Sequence, residues 1–81
     1  MKNQYIATFF TYYDAAQFQR ELELRCIDAN LSPVPRKLSS SCGTCVRFIC
    51  MEEDIAELEK DTAECIVLCE DSEYKIIFDG R

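Results

Sequence analysis

The residues best suited to chemistry are two cysteines, Cys42 and Cys45, which enclose a glycine and a threonine in the sequence CGTC. Two thiols at this spacing can close a disulfide, share a metal ion or hold a sulfur atom as a persulfide. Glycine in the first central position is typical of a type II′ hairpin turn, in which the cysteines would face each other. Opposed residues of an antiparallel pair are about 4.5–5.5 Å apart at Cα, a distance that a disulfide tolerates. The motif therefore predicts reversible thiol chemistry at an exposed turn.

The charges around the two cysteines also favour a reactive thiol. No Asp or Glu occurs between Ala29 and Met51, whereas Arg36, Lys37 and Arg47 all lie in that segment. All fifteen acidic residues lie outside this segment, so the remainder of the chain is acidic. The whole chain, with nine basic residues, has a net charge of −6. Nearby cations favour the thiolate, which is the reactive form of cysteine, and they attract small anions. The same cations could instead only solvate a hairpin, so the charge pattern alone leaves both interpretations open.

Length and composition limit the classes of function. Eighty-one residues allow one domain with a modest core, and we expect a single domain over residues 1–81. The negative net charge gives no electrostatic support for binding to nucleic acid or to an anionic membrane. The apolar run near the first residue is too short for a signal peptide or a membrane span, so we expect a cytoplasmic protein. Reducing cytoplasm would keep most of the six cysteines as free thiols.

Other uses of the cysteine pair fit the sequence less well. A thioredoxin-type dithiol lies at a helix N-terminus, but here the motif precedes a predicted strand. A zinc or iron–sulfur site needs about four ligands, and the chain contains no histidine. Cys42, Cys45 and Cys50 would need Cys65 or Cys69 as a fourth thiolate, while strand alternation turns Cys50 away from Cys45. We therefore expect no metal and no cofactor, and a metal-binding or dithiol redox module is the alternative function.

Hydrophobic periodicity predicts the elements that precede the cysteine pair. Residues 5–10 are typical of a strand, and Thr11 with Asp14 fits a capping box for a helix that continues to about Asn30. Cys26 lies on the apolar stripe of this helix, and we expect it in the core. The prolines that follow the helix allow only a short or edge strand and then a loop.

The cysteine pair itself leads into a better strand, residues 45–51. Alternation places Cys50 on the core face of that strand and Arg47 on the opposite face, together with Cys45. Helical spacing of apolar residues then predicts one long helix over residues 53–69, followed by a strand at 74–78. In the alternative interpretation, residues 65–78 form a β-hairpin.

The element order that results is βαββαβ. It predicts an α+β, ferredoxin-like fold with a four-stranded antiparallel sheet and two helices on one face. The strands carry apolar residues on both alternations, so a homodimer through the open face of the sheet is a further expectation.

The stretch LSPVPRKLSSSCGTCVRF closely resembles the signature of a family of small bacterial proteins, the selenium/sulfur carrier protein-like family. The matching features are a Pro-x-Pro-Arg group, a serine run, Ser-Cys-Gly and a closing Arg-Phe, found here at residues 33–36, 39–41, 42–43 and 47–48. The resemblance implies a small ferredoxin-like domain associated with selenium metabolism, which carries sulfur or selenium on the Ser-Cys-Gly cysteine. It does not imply the second thiol, Cys45.

Residues and resemblance together predict a carrier protein that is not an enzyme, since histidine is absent and no general base is evident near the thiols. Cys42 would hold the persulfide or selenopersulfide, and Cys45 would release the cargo by forming a disulfide with Cys42. A donor such as a cysteine desulfurase and an acceptor protein would be the partners. The residues predicted to contact the cargo or an anion are Arg36, Ser40, Ser41, Gly43 and Arg47.

Overall fold

A computed structural model describes residues 2–38 and 40–80, and within these ranges the chain forms five strands and two helices. In chain order the elements are β1 Lys2–Phe9, α1 Tyr12–Leu24, β2 Asp28–Pro33, β3 Thr44–Met51, α2 Glu52–Glu57, β4 Ala63–Glu70 and β5 Glu73–Asp79. The strands form one antiparallel sheet in the order β2-β3-β1-β4-β5. The α+β class is confirmed, the four-strand count is wrong, and the ferredoxin-like assignment stays a prediction. Neither helix in these ranges is long and apolar enough to cross a membrane.

Helix α1 begins where the sequence predicts and ends earlier. Thr11 has an extended backbone, with φ of −135°, and its Oγ accepts a hydrogen bond of 3.1 Å from the Asp14 N–H. The helix ends at Leu24 because the chain reverses at Cys26, whose φ is 62°, and then enters β2. Cys26 is therefore exposed, and its predicted place in the core is wrong.

The predicted long helix over residues 53–69 is also wrong, and the alternative prediction of a β-hairpin over residues 65–78 is confirmed. Helix α2 is a short turn after which Leu58 is extended, with ψ of 144°. Residues 63–67 are all buried, as a strand covered on both faces requires. This strand, β4, pairs with β1 on one side and with β5 on the other, and β5 follows a turn at Asp71, whose φ is 44°. Pairing with two strands outweighs the helical spacing of the same residues.

Both helices pack on one face of the sheet around an aromatic centre. The ring of Phe18 in α1 lies 5.1 Å from that of Phe9 and 5.6 Å from that of Phe48, measured between centroids. Ile55 of α2 belongs to the same cluster of buried side chains. Cys50 is buried there too, which confirms its predicted core position.

The other face of the sheet is covered by the connection between β2 and β3. This face has its own buried cluster, formed by Ile6, Cys45, Cys65 and Val67. Val34 and Leu38 of the connection pack against that cluster. Lys37 Nζ donates a hydrogen bond of 3.1 Å to the Ser72 carbonyl, which ties the connection to the β4–β5 turn. Residues 34–38, here named the strap, thus cover the centre of the face through which a homodimer is predicted.

Candidate functional site

Cys42 lies in the loop that enters β3, at the end of the sheet where β1 finishes and β4 begins. The register pairs Thr8 of β1 with Cys45, and the next residue, Phe9, with Ala63. Ser40 Oγ donates a hydrogen bond of 2.9 Å to the Phe9 carbonyl, so the loop is attached to the end of β1. The Cys42 side chain is half-buried and packs against the helix-side core.

A buried carboxylate holds the residue before this cysteine. The Ser41 N–H donates to Glu64 Oε1 at 3.3 Å, and the Ser41 hydroxyl donates to Glu64 Oε2 at 2.9 Å. Glu64 is only 4% exposed, and such a group is tolerated inside a protein when hydrogen bonds satisfy its oxygens. The loop that carries Cys42 is thereby fixed to β4 as well as to β1.

Glu64 is a residue that the sequence analysis missed. The segment around the cysteines is free of acids in the sequence, yet the fold brings a carboxylate to the residue adjacent to Cys42. The signal in the sequence was the single acidic residue in the apolar run AECIVLC, because Glu is rarely buried unless it has a partner.

The surroundings of Cys42 leave one side open. Its Sγ donates to the Thr44 carbonyl at 3.3 Å and lies 3.8 Å from Ser40 Oγ. Gly43 has the predicted positive φ of 74°, although in a longer connection than a two-residue turn, and a Cβ added there would meet no atom within 4 Å. The space beside Gly43 is therefore open.

Cys45 does not face Cys42, and its predicted exposure is wrong. Its side chain is fully buried in the cluster beneath the strap, whereas Cys42 packs against the helix-side core. The reason is that the β2–β3 connection spans residues 34–43 instead of a two-residue turn. Cys45 is consequently paired with Ser32, whose Oγ lies 3.4 Å from its Sγ, and it donates to the Pro33 carbonyl at 3.6 Å.

Two of the predicted cations, Lys37 and Arg47, have hydrogen-bond partners away from Cys42. Arg47 shares the strap-covered face with Cys45, as alternation predicts, and its Nε donates to Ser32 Oγ at 3.0 Å. Burial raises the pKa of the Cys69 thiol, and the nearby charge of Arg47 partly opposes that shift. Arg36 is exposed in the strap. Ser40, Ser41 and Gly43 are thus the predicted contact residues that lie beside Cys42, and Ser39 of the serine run falls outside the described residues.

The remaining cysteines do not extend this site. Burial raises the pKa of the Cys50 thiol to about 11, and the nearby Asp54 carboxylate adds to the shift. This thiol is therefore protonated at neutral pH. Across residues 2–38 and 40–80, no three Cys, Asp or Glu side chains are grouped so that they could hold a metal ion. The arrangement therefore offers a single half-exposed thiol on an anchored loop.

Comparison with known proteins gives one further finding. A family model described as "Putative Se/S carrier protein-like" matches residues 4–76, a range that includes the loop of Cys42 and the carboxylate of Glu64. No curated protein and no solved structure matches the chain.

Proposed function

The chain belongs to the Se/S carrier protein-like family, and from that premise we propose that Cys42 carries a sulfur or selenium atom between two partner proteins. The family description supports a carrier role and partners that supply and receive the atom. The assignment to Cys42 rests on the anchored loop. Ser40 and Ser41 form hydrogen bonds to β1 and β4, and the half-buried side chain of Cys42 follows them. All six cysteines are free thiols, which supports transfer in a reducing cytoplasm.

Loading is an exchange between a thiolate and a persulfide. The Cys42 thiolate attacks the outer sulfur of the donor's persulfide, so that a new S–S bond forms as the donor's S–S bond breaks. The donor's cysteine leaves as a thiolate and takes up the proton that Cys42 lost, so the exchange involves no net oxidation. A selenium cargo takes the place of the outer sulfur in the same step.

Release in this proposal uses a thiol of the acceptor protein. That thiol attacks the outer atom held on Cys42 and restores the Cys42 thiolate. The resolving role predicted for Cys45 is left out, because Cys45 is buried and would have to leave its pairing with Ser32 to reach Cys42. Loading and release then depend on one thiol of this chain.

Loading from a cysteine desulfurase tests the assignment directly. By intact mass spectrometry we expect the wild-type protein to gain the mass of one sulfur atom and the Cys42→Ser variant to gain none. Cys26→Ser is the matched control, since it removes an exposed thiol outside the loop and should load normally. Cys45→Ser should load and release at the wild-type rate. Full loading of Cys42→Ser would show that another thiol is the carrier.

A further inference from the structure

We propose that the Ser40 hydroxyl changes its hydrogen-bond acceptor when Cys42 ionises, and that it then stabilises the negatively charged sulfur. In the structure Ser40 Oγ donates a hydrogen bond of 2.9 Å to the Phe9 carbonyl and lies 3.8 Å from Cys42 Sγ. The inference rests on the proposed carrier function and assigns Ser40 a part in both transfer steps.

The change of acceptor follows from the single hydrogen of a serine hydroxyl, which can be donated to one acceptor at a time. Two acceptors lie within reach of Ser40, the Phe9 carbonyl and the Cys42 sulfur. A neutral thiol is the weaker acceptor, so the hydroxyl is donated to the carbonyl while Cys42 is protonated. A hydrogen bond to an ionised group is about twice as strong as one between neutral groups. Ionisation of Cys42 therefore reverses the preference of the hydroxyl.

Cys42 needs a donor because ionisation removes its own hydrogen bond. The neutral thiol donates its hydrogen to the Thr44 carbonyl at 3.3 Å. When this proton leaves to water, the negative sulfur faces the carbonyl oxygen with no hydrogen between them, and a bond made only by the neutral form opposes ionisation. The side chain is half-buried, so water surrounds the charge incompletely. A hydroxyl that turns toward the sulfur offsets both effects.

The charged groups of the neighbouring segments are less suited to this task. Lys37 of the strap and Arg47 of β3 donate to partners away from the carrier thiol. Arg36 is exposed in the strap. Glu64 of β4 accepts hydrogen bonds from both the N–H and the hydroxyl of Ser41, so that hydroxyl is already in use, and the carboxylate itself disfavours a second negative charge nearby.

The negative charge that Ser40 would meet arises twice in the proposed carrier cycle. Cys42 attacks the donor's persulfide as a thiolate during loading, and it leaves as a thiolate during release. In both steps the charge lies on Cys42 Sγ, the atom that Ser40 can reach. The hydroxyl keeps its own proton throughout, so it contributes a hydrogen bond and no proton transfer.

Alkylation at different pH values tests this inference without a donor protein. The rate at which iodoacetamide modifies Cys42 is measured by peptide mass spectrometry from mildly acidic to alkaline pH. Ser40→Ala is expected to move the midpoint of this profile upward by about one pH unit. Ser40→Thr keeps the hydroxyl and should retain the wild-type midpoint. Exposed Cys26 is the internal control, and continued protection of buried Cys45 checks that each variant is folded.

Three results would overturn the role of Ser40. The first is an unchanged midpoint in Ser40→Ala. The second is a rate that changes by the same factor at every pH, which loss of the bond to the Phe9 carbonyl would produce by loosening the loop. The third is a Ser40→Thr midpoint that moves as far as that of the alanine variant, because the hydroxyl would then not be responsible.

Failure of the carrier function is recognised by a different measurement. Cys42→Ser would then still load from the cysteine desulfurase. The alkylation profile involves no sulfur donor, so a shifted midpoint in Ser40→Ala would keep the hydrogen bond to the ionised thiol even if another cysteine proved to be the carrier.

Discussion

Cys42 is half-buried in an anchored loop at the end of the sheet, whereas Cys45, three residues later, is fully buried beneath the strap on the other face. The first region holds its shape through polar contacts to Glu64 and to the end of β1. The second holds through apolar packing of the strap on Ile6 and Val67. The spacing of a CxxC motif therefore does not determine whether its thiols meet, because Cys45 takes its face from strand pairing and Cys42 takes its position from the anchored loop.

The largest expected effect tests whether the cluster beneath the strap, more than the loop of Cys42, stabilises the fold. Ile6 is fully buried on β1, so Ile6→Ala should lower the free energy of unfolding by about 2–5 kcal/mol in urea denaturation. Cys42→Ala, which truncates a half-buried side chain, should lower it by less than about 1 kcal/mol. Equal losses in the two variants would remove the energetic distinction between the regions.

A smaller effect is expected from Glu64→Gln, which tests the polar anchor of the loop. The amide keeps one acceptor for Ser41 but removes the charge and one of the two oxygens, at a loss of about 1–3 kcal/mol in the free energy of unfolding. The rate of alkylation of Cys42 by iodoacetamide should rise as its loop loosens, while the rate for exposed Cys26 stays constant. An unaltered Cys42 rate would mean that Glu64 does not position this thiol.

The smallest effect is expected from Lys37→Ala, which tests how the strap is closed. Lys37 is exposed, and its hydrogen bond to the Ser72 carbonyl should contribute no more than about 1 kcal/mol to stability. Loss of this bond should increase the alkylation rate of Cys45 in the folded protein and leave that of Cys42 unchanged. Protection of Cys45 equal to that in the wild type would show that Val34 and Leu38 alone hold the strap down.

Several local features followed from short stretches of sequence. The start of α1 at Thr11, the alternation of β3 and the positive φ of Gly43 each depend on neighbouring residues, and each was predicted correctly. Local patterns failed where long-range pairing competes with them. Residues 63–70 keep a helical spacing and also suit a strand, and pairing with β1 and β5 decides between the two.

The α+β class, the loop that carries Cys42 and the family of the chain all follow from the amino-acid sequence alone. The environments of Cys42 and Cys45 depend on contacts that form only in the folded chain. The contact between Ser41 and Glu64 joins two segments that are distant along the chain, and it exists because the loop and the start of β4 meet at the same end of the sheet. The strap separates Cys45 from Cys42 for a similar reason, since its path over the sheet depends on apolar side chains contributed by both β1 and β4. Such contacts depend on strand order and register, which no short stretch of the chain encodes.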